Sequence, residues 1–479
     1  MDEDYKDGSA SIKENHCSSD NIQINTDFSM ILSEFEELAN LIHEILEKAK
    51  NAEEILIDNY MNEILSKLYL LENKELTENA ELLSKLPISD DMPLYIQFCG
   101  FLFSLAHTEL CEKIISHLFK FFAQITSCSE ININYLSDHT IIGLLSNIIN
   151  YDLPDSILYY LLILAKNCLW VDNLFAEYSQ VFTLEYYEKI SSDISSKQEQ
   201  NQSKISSAIM MAIFTYCRKT ENFQSIFGIT LKIQNFLDFG FFDSIMIYYL
   251  TYTWKFLLDC DGFDYEQAKK NNLMISINKM KDQFKIDEIQ SNIELSETKS
   301  LSLSQFLVFL SEIYKFEKIE VFSDDEISYY IEYGNSKLFR SVLYYLQTIY
   351  EASDVSLMFM DEIMEVYDIN YDLKISVAKL FAEIIENSQI EIRMKFFSND
   401  IFRILIESLS TIETELYNDF IEAIVKFGEI ADHVENYNEF LDYINDPEIK
   451  DAILEFADNL NDDEQRTRLD IFIDKFYPD

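Results

Sequence analysis

The scarcity of glycine and proline constrains this chain more than any other feature of its sequence. The 479 residues include 8 glycines and 5 prolines, whereas these two types make up about 12% of an average protein. Phosphate-binding loops and tight sheet turns need glycine where the backbone takes a positive φ or approaches a ligand closely. The closest two glycines, Gly228 and Gly240, are twelve residues apart. Doubly wound α/β sheets, β-sandwiches and glycine-rich loops are therefore not expected.

Apolar residues recur at intervals of three and four through most of the chain, which is the spacing of an amphipathic helix. In the first such segment Phe28, Phe35 and Ile42 share one face, and glutamates lie on the opposite face. Such runs predict about seventeen helices beyond residue 93. Some helices have clear start signals, and Ser323 followed by Glu326 is a capping box. No run of alternating β-branched residues indicates a sheet.

The charge of the chain excludes some partners and favours others. Lys and Arg number 37 against 85 Asp and Glu, which gives a net charge of −48. Such a charge opposes binding to nucleic-acid phosphates and to anionic membrane surfaces, so we expect neither partner. Basic segments of other proteins are the natural counterpart, and the alternative is that the charge only keeps a large surface solvated.

The sequence gives no sign of export or membrane insertion. The N-terminus is acidic and has no apolar signal segment. The longest uncharged stretch, from Met92 to Thr108, has about 17 residues and is short of the roughly 20 that a membrane span needs. The seven cysteines show no repeated spacing and are interpreted as reduced core residues. We expect a cytoplasmic protein, with the nucleus as the alternative location.

Three parts are predicted along the chain. Residues 1–27 are rich in Asp, Glu, Ser and Asn, which indicates a disordered acidic tail. Pro87 and Pro93 lie close together and mark a boundary. We therefore assign residues 28–92 to an N-terminal helical segment and residues 93–479 to helical repeats with a C-terminal cap.

One tripeptide, in which Phe is followed by a small residue and an acid, recurs in the chain, and three of its four copies lie in predicted helices. It is found at 175–177, 381–383, 427–429 and 456–458, whereas random placement predicts about 0.4 copies. The physical interpretation is a Phe buried between neighbouring helices, a small residue that lets two backbones approach closely, and an acid that faces water.

This repeat and the lengths of the helical units resemble the armadillo and HEAT families of α-solenoids. The stretch from Ser398 to Ser410, followed by Glu415 to Ala431, looks like the second and third helices of an armadillo unit. The resemblance covers residues 93–460. It implies an all-α fold, a right-handed α-α superhelix whose concave face binds other proteins. Because the spacing between units is irregular, a compact all-helical protein is the alternative.

The resemblance also directs attention to three acidic residues. Armadillo proteins that carry nuclear cargo have Trp and Asn four residues apart on their third helices. Here Trp170 and Trp254 are both followed at that distance by leucine, so this groove chemistry is not expected. The residues that align with the groove Asn are Glu383, Glu429 and Asp458. We interpret them as a protein-binding face for a basic segment, and the alternative is that they are ordinary solvated acids.

No motif for catalysis, cofactor binding or metal binding is recognised. The aspartate pairs are not followed by a third Asp at the spacing of diphosphate-binding helices, and no histidine has Glu three residues before it. The closest group to a metal site is interpreted as buried Cys and partly exposed His, because it contains no Cys-x-x-Cys pair; its members are Cys99, His107, Cys111, His117 and Cys128. We expect no catalytic residues, no cofactor and no metal.

A basic island interrupts the acidic sequence. Residues 269–285 contain five lysines and one acid, Asp282. This island is either a docking patch for an acidic partner or a solvated helix face that neutralises neighbouring carboxylates, and the second interpretation is preferred.

Together these features predict a non-enzymatic scaffold or adaptor that binds proteins through the concave face of an α-solenoid. A regulatory subunit or cochaperone-like solenoid is the first alternative. From a different class, an all-α enzyme whose catalytic residues converge only in three dimensions is the second.

Overall fold

In the computed structural model the described residues are predominantly helical. These residues form 24 α-helices and no β-strand, which confirms the all-α prediction. The described residues are 24–51, 57–71, 88–105, 108–128, 133–134, 141–194, 199–220, 223–236, 244–261, 263–284, 295–319, 321–350, 359–369, 373–412, 414–434, 437–460 and 462–478.

The chain divides into two compact units, Met1–Phe241 and Phe242–Asp479. In unit 1 the described ranges hold ten helices. They are α1 (Ile24–Lys50), α2 (Ile57–Leu71), α3 (Ile88–Ser104), α4 (Glu109–Cys128), α5 (Ile141–Ile148), α6 (Asp155–Trp170), α7 (Asp172–Val181), α8 (Leu184–Asp193), α9 (Glu199–Lys219) and α10 (Phe223–Phe236).

The helices of unit 1 pack against their near neighbours in chain order. Helices α2, α4, α6 and α9 form one row, in which α6 contacts both α4 and α9. Helices α1, α3, α5 and α7 pack successively beside this row, and α8 packs on α10. Burial of apolar side chains drives this packing. Buried Asn167 on α6 adds a polar link, because its amide donates to the carbonyl oxygen of Ala123 and to Thr126 Oγ1 on α4, each at 3.0 Å.

Unit 2 holds the other fourteen described helices. They are α11 (Ser244–Asp259), α12 (Tyr265–Lys270), α13 (Leu273–Asp282), α14 (Glu297–Tyr314), α15 (Asp324–Tyr333), α16 (Ser336–Tyr350), α17 (Met360–Ile369), α18 (Lys374–Asn387), α19 (Ile390–Lys395), α20 (Asn399–Ser408), α21 (Tyr417–Ala431), α22 (Tyr437–Ile444), α23 (Pro447–Asn459) and α24 (Asp463–Phe476).

Two layers of helices make up unit 2. In the first, which we name layer A, helices α11, α14, α16, α18, α21 and α24 pack each on the next. In the second, layer B, α15 packs on α17 and α20 packs on α23. The side-chain hydrogen bond from Tyr367 to Glu407, at 3.0 Å, joins α17 to α20. Each unit therefore has the neighbour-to-neighbour packing of a helical repeat protein.

Local signals in the sequence explain where several helices of unit 2 begin. Ser323 Oγ accepts a hydrogen bond from the backbone N–H of Glu326, and the carboxylate of Glu326 accepts one from the N–H of Ser323 at 2.8 Å. This arrangement confirms the predicted capping box. Ser398 Oγ similarly accepts from the N–H of Ile401 at the start of α20.

The structure differs from the predicted helices in three respects. Helix α3 begins at Ile88 and continues through Pro93, where a break was predicted. Helices α7, α8, α12, α13 and α19 lie outside the predicted helical segments. Residues 1–23 of the predicted tail are outside the described ranges, and residues 24–27 belong to the first turn of α1. The domain boundary at residue 92 stays a prediction.

Candidate functional site

The three predicted site residues lie in different layers of unit 2. Glu383 is on α18 and Glu429 is on α21, and these two helices pack against each other in layer A. Asp458 is on α23, which packs on α20 in layer B, and its carboxylate lies 3.1 Å from Nη2 of Arg466. The structure therefore brings Glu383 and Glu429 onto neighbouring helices of layer A, and it places Asp458 on a helix of layer B.

The Phe-containing tripeptide explains how these acids are oriented. Phe381 and Phe427 are fully or almost fully buried, as are the small residues that follow them, Ala382 and Gly428. The next residue on each helix turns outward, so Glu383 is half-buried and Glu429 is exposed. The predicted burial of the Phe and of the small residue is confirmed for these two helices.

The tripeptide does not have the same environment everywhere. On α23 the Phe and the small residue are buried and Asp458 is exposed. On α7, however, Ala176 is exposed and Phe175 is only partly buried, so this copy does not mediate close helix packing. The interpretation of the copy at 175–177 is therefore wrong.

Polar contacts cross the surface of layer A from helix to helix, and we name this set the polar row. Tyr344 Oη on α16 donates to Glu312 on α14 at 2.9 Å, and Gln347 on α16 donates to Glu383 on α18 at 2.6 Å. Lys426 on α21 donates to the carbonyl oxygen of Glu386 on α18 at 2.5 Å. Arg468 on α24 pairs with Glu422 on α21 at 2.5 Å. The polar row thus links five successive helices.

One end of the polar row is buried and neutralised within the unit. Glu312 is a buried carboxylate, and its partners are Lys315 at 2.6 Å and the hydroxyl of Tyr344. Burial, together with the charge of Glu312, raises the pKa of Tyr344 above its usual range. A buried charge needs such partners, so we assign Glu312 a structural role.

The middle of the polar row carries an excess of negative charge. The pKa of Glu386 is raised first by burial and then by the nearby carboxylates of Asp419 and Glu422, although Lys426 acts in the opposite direction. We name these three acids the carboxylate cluster. Glu429 extends the negative surface on α21, since its side chain is 60% exposed and its nearest cation is Arg393 at 4.0 Å.

The raised pKa of Glu386 predicts that the stability of the fold depends on pH. Because the folded state binds this proton more tightly than the unfolded chain, ionised Glu386 destabilises the fold fully above its raised pKa. This destabilisation decreases as the pH falls through the raised pKa and is absent below the pKa of the unfolded chain. We expect Glu386→Gln to stabilise the protein at about pH 7, by less than about 1 kcal/mol because the group is partly hydrated.

Thermal unfolding of Glu386→Gln and wild-type protein at about pH 7 and about pH 4 measures this effect. The difference in melting temperature should vanish at the lower pH. Exposed Glu391 on α19 provides the control substitution, Glu391→Gln. An equal difference at both pH values would contradict the electrostatic explanation.

Sequence reasoning missed the carboxylate cluster. Glu386 follows Glu383 by three residues on α18, and Glu422 follows Asp419 by three on α21, so each pair shares a helix face. This spacing was visible in the sequence. The contact between the two helices was not, because it depends on how α18 packs against α21.

The basic island lies on α12 and α13, and two of its lysines are engaged in ion pairs. Lys269 lies 2.7 Å from the carboxylate of Glu317, and Lys281 lies 2.9 Å from that of Glu326. Lys285 is outside the described residues. These pairs agree with the interpretation of the island as a helix face that neutralises neighbouring carboxylates.

The proposed absence of a metal site stays an expectation. Within the described residues no group of three His, Cys, Asp or Glu side chains is arranged to hold a metal ion. Cys99 and Cys111 are buried free thiols, whereas His107 and the side chain of Cys128 lie outside the described set. Burial raises the pKa of the Cys168 thiol to about 12, which disfavours the reactive thiolate.

The described helices were compared with the length and hydropathy of a membrane span. None of these helices combines the length and the apolar character that crossing a bilayer requires.

Trp254 is fully buried, whereas Trp170 is partly exposed at the end of α6. A buried Trp254 is a core residue and cannot line a groove.

Comparison with known proteins shows a likeness of fold. No family model matches the chain, and no curated protein matches its sequence. An engineered protein solved by a structural genomics consortium superposes with a TM-score of 0.51 over 80% of this chain and 98% of its own, at 11% identity. The crystal structure of SYS-1 covers 96% of this chain and 100% of its own at 10% identity, with a TM-score of 0.39. The first likeness fits a helical repeat fold and is one of fold alone.

Proposed function

We propose that the protein is a non-enzymatic scaffold or adaptor of the armadillo or HEAT type, which works in the cytoplasm or nucleus. Its activity is to bind a basic segment of a partner protein on the layer A surface of unit 2. The neighbour-to-neighbour packing of its helices supports this proposal, because stacked repeats present a long row of side chains to a partner.

The carboxylate cluster is the observation that carries the proposal. Burial raises the pKa of Glu386, and the nearby carboxylates of Asp419 and Glu422 add to this effect, so the ionised Glu386 side chain is electrostatically unfavourable without a further cation. A lysine or arginine side chain of a partner supplies that cation, and its charge-assisted hydrogen bonds to the carboxylates add to the affinity. Glu383 and Glu429 flank the cluster on the same two helices.

Asp458 is left out of the proposed surface. It lies on α23 in layer B, whereas the acids of the proposed surface lie on α18 and α21 in layer A. The site is therefore Glu383, Glu386, Asp419, Glu422 and Glu429, and contact of Asp458 with the partner stays a prediction from the sequence.

Binding of a fluorescently labelled oligolysine peptide to the full chain tests the proposal. We expect the double variant Glu383→Lys/Glu429→Lys to bind at least about tenfold more weakly than wild type, with a smaller dependence of affinity on salt. The matched control is Asp451→Lys/Glu455→Lys, because both of these acids are exposed on α23 in layer B and the change in net charge is the same.

Two outcomes distinguish a site from a general charge effect. Binding that is retained by the α23 control and lost by the layer A variant supports the site. Equal affinities for the two variants mean that net charge alone attracts the peptide, and the proposal is then rejected. Circular dichroism confirms that both variants keep their helical content.

A further inference from the structure

A cationic aromatic cluster lies in unit 1, at the ends of α6 and α9. Trp170 ends α6, and its ring stacks on Phe214 of α9 with centroids 5.8 Å apart and an angle of 10° between planes. The guanidinium carbon of Arg218 lies 4.7 Å from the indole centroid, and Nζ of Lys166 lies 5.8 Å from it. We name Lys166, Trp170, Phe214, Arg218 and Lys219 the Trp170 patch.

The patch is held in place by contacts within unit 1. Lys219 Nζ donates to the carbonyl oxygen of Trp170 at 2.8 Å and pairs with Asp172. Phe214 is 6% exposed and anchors the indole from below. The indole therefore forms a fixed support, and the cation–π contact orients the Arg218 side chain over it.

Arg218 presents hydrogen-bond donors for which the described residues of unit 1 supply no acceptor. Its side chain is exposed, and within the described part of the chain its guanidinium has no hydrogen bond or ion pair besides the contact with Trp170. The indole N–H of Trp170 likewise has no acceptor among the described residues. A planar guanidinium with free donors is suited to a carboxylate, which it can bind through two parallel hydrogen bonds.

The local charge has the opposite sign to that of the chain. Lys166, Arg218 and Lys219 contribute three positive charges, and Lys219 pairs with Asp172. The chain as a whole carries −48. A positive patch on so acidic a protein selects a ligand whose negative charges are few and local, since a long polyanion is repelled by the rest of the surface.

We propose that the Trp170 patch docks an acidic segment of a partner protein, with a carboxylate of that segment bound to the Arg218 guanidinium. A glutamate or aspartate also fits the indole N–H of Trp170 as an acceptor, since no described residue accepts from it. The indole is already covered by Phe214 and Arg218, so stacking of a nucleic-acid base on it is disfavoured. This surface is separate from the carboxylate cluster of unit 2 and takes a ligand of opposite charge.

The two tryptophans make the proposal measurable. Trp254 is fully buried in unit 2, so a change in tryptophan fluorescence on ligand binding reports on Trp170. We expect a short oligoglutamate peptide to change the fluorescence of the full chain saturably, with an affinity that falls as salt is added. Arg218→Gln should weaken this binding at least about tenfold, which corresponds to about 1.4 kcal/mol.

The matched control is Arg466→Gln, which removes an exposed arginine of unit 2 and should leave oligoglutamate binding unchanged. The charge swap Arg218→Glu should abolish it. Circular dichroism verifies that all variants are folded. Absence of saturable binding by the wild type, or equal binding by Arg218→Gln, overturns the proposal. Oligothymidylate that binds as tightly as the peptide and depends on Arg218 also overturns it, because the patch is then a nucleic-acid site.

Discussion

We expect Phe402→Ala to lower the free energy of unfolding of the C-terminal helices by about 3–5 kcal/mol, the usual range for removal of a buried aromatic ring. Phe402 on α20 is fully buried. Its ring centroid lies 5.1 Å from those of Phe427 and Phe440 and 5.7 Å from that of Phe472. These three rings belong to α21, α22 and α24, so one side chain joins four helices.

Hydrogen exchange of the full chain, resolved by helix, is the appropriate measurement, because a chain with two units need not unfold in a single transition. Protection should fall in α20 to α24. The control is Phe316→Ala, since Phe316 is 52% exposed and should lose less than about 1 kcal/mol. Protection of α20 to α24 that matches wild type would show that the cluster repacks around the missing ring.

Periodicity predicted the long helices well because their buried faces are continuous. Helix α21 buries residues at spacings of three and four from Phe420 to Ala431, which is the signal that a sequence displays directly. The start signals at Ser323 and Ser398 were equally local, since a cap depends on residues within one turn.

Two of the short helices, α7 and α19, escaped prediction because they lack such a continuous buried face. Helix α7 buries only Leu174 and Tyr178, and α19 has six residues, none of them buried. Such segments lack an apolar stripe, so contacts with neighbouring helices stabilise them more than their own sequence does. At Pro93 the error was the opposite one: a helix break was predicted, but α3 continues through this proline after its first turn.

The candidate site was predictable only in part. The repeated tripeptide predicted that the acids face water; Glu429 and Asp458 are exposed and Glu383 is half-buried, but Asp458 lies on a layer B helix. A Phe followed by a small residue is typical of a helix that packs closely against a neighbour on one side. Such packing is found in both layers, so the motif does not distinguish them. The carboxylate cluster and the Trp170 patch each join side chains from two helices, which no single-helix pattern reveals.

Gly428 lies where α21 packs closely against α24. A Cβ atom at this position would lie 2.7 Å from Cδ2 of Phe472 and 3.0 Å from Cε2 of Phe476, which is closer than van der Waals contact allows. Both rings are buried against other aromatic side chains, so they cannot move aside freely. Lys475 also donates to the carbonyl oxygen of Gly428 at 2.8 Å, which fixes the separation of the two helices.

We therefore expect Gly428→Ala to lower the stability of α21 and α24 by about 1–3 kcal/mol, although alanine is the better helix former. Gly228 is the matched control, because it lies within α10 and a Cβ there would meet no atom within 4 Å. Gly228→Ala should stabilise its helix by about 0.5–1 kcal/mol. In helix-resolved hydrogen exchange, amide protection should therefore fall in α21 and α24 for Gly428→Ala and rise in α10 for Gly228→Ala. Stabilisation at both sites would mean that helix propensity outweighs the close approach, and the structural role assigned to the small residue of the repeat would then be wrong.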